Sequence, residues 1–62
     1  MKELDAVRLI TEFEGLPIGT EGTIVCEYDR KVFEVEFFDS AGNTIDVFTT
    51  PFEVIERLIA NK

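Results

Sequence analysis

The clearest pattern in the chain lies between Val32 and Phe38. Phe33, Val35 and Phe37 alternate there with Glu34 and Glu36. A period of two places the three apolar side chains on one face of a strand and the two carboxylates on the other. Thr44 to Thr50 repeats the alternation, which predicts Ile45 and Val47 on one face and Asp46 on the other. Two further runs, Ala6–Ile10 and Thr23–Tyr28, are rich in β-branched and aliphatic residues and predict two more strands. The punctuation between them is of turn type. Asp29-Arg30-Lys31 forms a short polar turn, and Asp39 to Asn43 a hairpin loop containing Gly42. Thr11 to Thr20, with Gly15, Pro17 and Gly19, reads as one long loop. Pro51 stops the fourth strand, because proline has no N–H for the ladder. The run from Phe52 to Ala60 fits two readings. Val54, Ile55, Leu58 and Ile59 have the spacing of a helix face, and the same residues suit a 3₁₀ turn followed by a strand.

Four or five short strands with one long loop predict an all-β fold. The expected architecture is a small five-stranded SH3-like barrel, with a short 3₁₀ or helical turn near the C-terminus. Closure hides strand edges that an open sheet of this size exposes. The competing architecture is a β-meander with a packed C-terminal helix. Residues 1–62 make a single domain, since the length leaves no room for a second.

Charge and composition narrow the functional classes. Thirteen acidic and six basic residues give a formal net charge of −7. Affinity for nucleic acid rests largely on Lys and Arg, so such a binder is not expected. The absence of histidine removes the commonest general base and zinc ligand. Cys26 is the single cysteine, so it has no internal disulfide partner. With no base beside it, Cys26 reads as a small core or wall residue rather than a nucleophile. The N-terminal residues lack a signal-peptide pattern and no run approaches a membrane span, which together with a free cysteine predicts a cytoplasmic protein. No enzymatic activity, cofactor or metal is expected.

Several segments resemble a known family. Glu3-Leu4-Asp5-Ala6-Val7-Arg8-Leu9 is similar to the E-L-D-x-V-x-L opening of very short bacterial proteins grouped as a domain of unknown function. Leu16 to Val25 resembles that family's L-x-x-G-x-x-G-T-V-V segment, and Phe33 to Phe37 its aromatic-E-V-E-F strand. Gly42-Asn43-Thr44 and Val47, Thr49 and Pro51 follow its G-x-T hairpin and V-x-T-x-P segment. The resemblance spans nearly the whole chain and implies a stand-alone SH3-like barrel. A weaker likeness runs from Gly19 to Val25 toward the KOW motif of ribosomal and transcription proteins. The basic residues that accompany that motif are missing here.

The candidate chemistry is sparse. Gly19 and Gly22 bracket Thr20-Glu21, which suits a tight turn followed by close approach of two strands. A phosphate loop needs a following helix and usually a lysine, and neither is present. The acids Glu34 and Glu36 with Asp46 are expected on the outer face of the central hairpin. An antiparallel sheet requires a solvated face in any case. The aromatics are more informative. Parity leaves Phe38 and Phe48 without a core position, as an outer cross-strand pair with Tyr28, Phe13 and Phe52 nearby at loop or strand ends. The opposing reading has the barrel bend and the C-terminal run cover Phe48. The function expected is a non-catalytic acidic module that binds a basic protein, as an antitoxin or immunity-type protein or as an accessory subunit. Tyr28, Phe38, Phe48 and Phe52 are the expected anchors, and Glu34, Glu36 and Asp46 the acidic rim. A homodimer through the same patch, a KOW-like nucleic-acid module, and a metal or catalytic site on Glu34, Glu36 and Asp46 are the alternatives.

Overall fold

The computed structural model describes residues 1–58. Its five strands are β1 (Ala6–Leu9), β2 (Glu21–Glu27), β3 (Val32–Phe38), β4 (Thr44–Pro51) and β5 (Ile55–Arg57). A 3₁₀ turn, Phe52–Val54, joins β4 to β5. All pairings are antiparallel, in the order β4-β3-β2-β1-β5. The all-β fold, the five strands and the 3₁₀ turn before the last strand are as expected from the sequence. The C-terminal ambiguity is resolved in favour of turn and strand. Val54 accepts a backbone bond from Ile10, and Leu9 lies opposite Ile55, so this run extends the sheet through β1. Val54, Ile55 and Leu58 therefore do not form a helix face, and Ile59 and Ala60 lie outside the described residues.

β3 supplies the inner face. Phe33, Val35 and Phe37 are buried, with Ile24 from β2, Val7 and Leu9 from β1, and Ile55 from β5 around them. Gly22 lets β2 and β3 approach this closely. A Cβ there would stand 2.7 Å from the Glu36 carbonyl oxygen and 2.8 Å from Val35 Cγ1. Gly19 holds the positive φ of +92° that the preceding turn requires. Both glycines thus take the structural roles that their spacing suggests.

β4 departs from the parity expected of it. Val35 lies opposite Phe48 and Phe33 opposite Thr50, so Phe48 and Thr50 face inward. Glu36 lies opposite Val47, so Val47 faces outward with it. The register shifts where Phe37 meets Asp46 and Phe38 meets Thr44, leaving Ile45 as the extra residue of a β-bulge. Alternation alone sets Ile45 and Val47 together against Phe48. The folded chain instead turns the single large ring inward, where it is half-buried against the core, because two other rings are there to receive it. Phe48 sits 6.3 Å from Phe37 and 6.3 Å from Phe13, the latter edge-to-face at 85°. The buried Thr50 hydroxyl donates to the Phe48 carbonyl oxygen at 2.9 Å, so it carries no unmet polar atom inward.

Phe13 comes from the long loop, which is more structured than its composition suggests. Phe13 and Leu16 exchange two backbone hydrogen bonds, of 3.0 and 2.8 Å, around Glu14 and Gly15. Both of these residues have positive φ, 52° and 78°, as a tight two-residue hairpin requires. This small hairpin delivers Leu16 into the core and lays Phe13 over Phe48. The loop, rather than the C-terminal run, closes the inner face at that point.

Among the described residues, the outer edge of β4 has no strand beside it. Phe52 N–H donates to Lys31 O across β3 and β4. Alternation from that bond turns the backbone of Pro51, Thr49 and Val47 outward, toward the free edge. Pro51 has no N–H to offer there, and the Val47 N–H is taken by Asp46 Oδ1 at 2.7 Å.

Candidate functional site

The outer face of β2, β3 and β4 carries two rows of side chains. Thr23, Glu36 and Val47 form one row, and Cys26, Glu34 and Thr49 the next. Cys26 reaches that row because β2 is irregular between Ile24 and Cys26, and it is a half-buried wall residue. The two glutamates are fixed rather than freely solvated. Thr49 Oγ1 donates to Glu34 Oε1 at 2.6 Å, and Thr44 Oγ1 to Glu36 Oε2 at 2.6 Å. Hydroxyl-to-carboxylate bonds of this length are charge-assisted and hold the carboxylates in place. Tyr28 stands at the end of the same face, 60% exposed. The Glu34 charge raises its phenol above the ordinary 10.0, with partial desolvation and the nearby Cys26 adding to the effect.

Of the residues expected to form one patch, the fold sets Tyr28 beside Glu34, and Glu36 follows Glu34 on the same face of β3. Phe38 shares β3 with the two glutamates and is half-buried at its far end. Three placements are corrected. Phe48 is not an outer partner of Phe38, because its register with Val35 turns it onto Phe37 and Phe13. Asp46 is not beside Glu34 and Glu36, because it lies opposite Phe37 and so on the other face. Phe52 is exposed on the 3₁₀ turn, but its amide bond to Lys31 places it at the Val32 end of β3. Phe38 lies six residues further on, roughly 20 Å at the rise of an extended strand. The expected aromatic cluster is therefore divided between the two ends of the sheet. Among the described residues, no three acidic or cysteine side chains come together in a way that could hold a metal ion.

A groove at the Phe38 end was not anticipated. It encloses about 890 Å³ between the Pro17–Glu21 segment and the β3–β4 hairpin. Pro17, Ile18, Phe38 and Ile45 give it apolar walls, and Glu21 and Asp39 are its two carboxylates. Among the described residues, no Lys or Arg lines it. Its one sequence signal was Ile18, an aliphatic residue between Pro17 and Gly19 with no strand to belong to. Ile45 joins it through the bulge, which no periodicity reveals.

Among the described residues no helix is long and apolar enough to cross a membrane. No curated protein and no solved structure matches the chain. Residues 3–57, which include all five strands, match the family described as domain of unknown function DUF4926. That match covers most of the chain, and the protein belongs to this family.

Proposed function

We propose that this chain is a non-catalytic protein-interaction module, an acidic SH3-like barrel that binds a basic protein through the outer face of β2, β3 and β4. The SH3-like reading is supported by the meander of β1 to β4, the long loop after β1, and the 3₁₀ turn that returns β5 to the side of β1. The binding reading rests on one observation. Glu34 and Glu36 are held by threonine hydroxyls on a face that also exposes Val47 and Tyr28. Fixed carboxylates steer a cationic partner without losing much conformational freedom on binding, and the aliphatic and aromatic surface supplies affinity.

A basic partner suits two roles, masking of a positively charged nucleic-acid-degrading toxin or service as an accessory subunit. A toxin-coding neighbour gene favours the first. The test is affinity capture from the source cells, followed by binding of the purified partner to the native chain and to the Glu34→Gln/Glu36→Gln double variant. A basic partner whose affinity falls about tenfold in the double variant and falls again with added salt supports the proposal. Equal binding by the double variant overturns it. So does a clear gel shift of RNA or DNA by the isolated chain at low salt, which selects the KOW-like alternative.

A further inference from the structure

We infer that the groove between the Pro17–Glu21 segment and the β3–β4 hairpin seats an extended segment of the basic partner, one in which a Lys or Arg neighbours an aliphatic residue. The inference rests on the basic-partner reading above and adds a second, more specific contact to it.

The groove is preorganised on both sides. On one wall, Ile18 is 67% exposed, far more than an isoleucine gains from by itself. The turn that carries it is nonetheless fixed. Gly19 N–H donates to Leu9 O at 2.9 Å, and Thr20 Oγ1 donates to Pro17 O at 2.7 Å. On the other wall, Asp39 Oδ1 accepts the amides of Ala41 and Asn43, each at 2.9 Å. Those bonds hold the hairpin and its carboxylate at the rim. Phe38 and Ile45 add apolar surface to the same hairpin wall. A volume of about 890 Å³ is that of a small-ligand cleft, enough for a few extended residues.

Charge selects the occupant. Glu21 and Asp39 line the groove, with no cation among its described lining residues. The described ion pairs, Arg8–Glu56 and Arg57–Asp5, engage other carboxylates. An apolar cleft with two carboxylates complements an aliphatic side chain beside a Lys or Arg. A second copy of the chain is a poor occupant, since two molecules of net charge −7 repel one another. Nucleic acid is disfavoured on the same ground.

The probe is the peptide acetyl-Leu-Arg-Leu-Arg-Leu-amide, with its glutamate counterpart acetyl-Leu-Glu-Leu-Glu-Leu-amide as control. Each is titrated to millimolar concentration into the intact ¹⁵N-labelled protein. The expected result is shifts at Ile18 to Glu21, Phe38, Gly42 and Ile45 with the arginine peptide only. Ile18→Ser, which removes an exposed side chain and leaves the fold intact, lowers that affinity roughly fivefold to tenfold. Equal shifts with the glutamate peptide overturn the inference. Shifts confined to the amides around Glu34, Glu36 and Val47 also overturn it, while agreeing with the basic-partner reading. No shift with either peptide overturns the groove alone. The basic-partner reading is then decided separately, by whether the captured partner depends on Glu34 and Glu36.

Discussion

Phe48 touches Phe37 on one side and Phe13 on the other, so truncating it removes two aromatic contacts at once. Phe48→Ala is expected to lower stability by about 2–4 kcal/mol, read from the midpoint of urea unfolding. An unchanged midpoint would contradict its inward placement. Tyr28 has a subtler signature. The carboxylate of Glu34 disfavours the phenolate, so the folded protein holds this proton above pH 10.0, the ordinary value. The associated stabilisation is present below the ordinary pKa and fades as pH rises through the raised one. Glu34→Gln should bring the midpoint down. The absorbance of the phenolate follows it directly, because the chain has one tyrosine and no tryptophan. A midpoint that does not move with Glu34→Gln would place the phenol out of the carboxylate's reach.

β3 and β4 differ in how far the sequence foretells them. β3 is flanked by β2 and β4, and every second residue meets the core, so its burial follows its alternation without exception. β4 is an edge strand with a bulge, and its two faces carry similar amounts of apolar surface. The choice between them is made by Phe13, distant in sequence and delivered by a hairpin inside a loop. The carboxylates Glu34 and Glu36 were legible because β3 was. Asp46 and Phe48 were misplaced because β4 was. Ile18 alone hints at the groove, because Ile45 joins its lining only through the β4 bulge. Asp46 has gained a different role, since it occupies the Val47 N–H on the free edge of β4. Exposed edge donors invite strand pairing between molecules. Asp46→Ala should therefore raise self-association in sedimentation at high concentration, and a variant that sediments just as the native chain does would refute this role.

At the scale of the whole molecule, a chain of 62 residues has little core to spare. It draws on nearly every segment to build one. β1, β2, β3 and β5 contribute buried apolar residues, β4 contributes the buried Thr50, and the loop between β1 and β2 contributes Leu16. Acidic surface and apolar surface are consequently crowded onto the same few strands, which is why the outer face and the groove both combine them. The loop hairpin at Phe13 and Leu16 also has a bearing on motion. Its two cross-bonds are short in range, whereas the surface it covers belongs to β4. Lifting it would leave the sheet paired and bring Phe48 into water, a partial opening with a free energy below that of global unfolding. In hydrogen exchange, the amides of Phe13 and Leu16 should then lose protection together and earlier than that of Val35. The molecule would carry, as a rare excited state, a fully exposed aromatic ring that its ground state keeps half-covered.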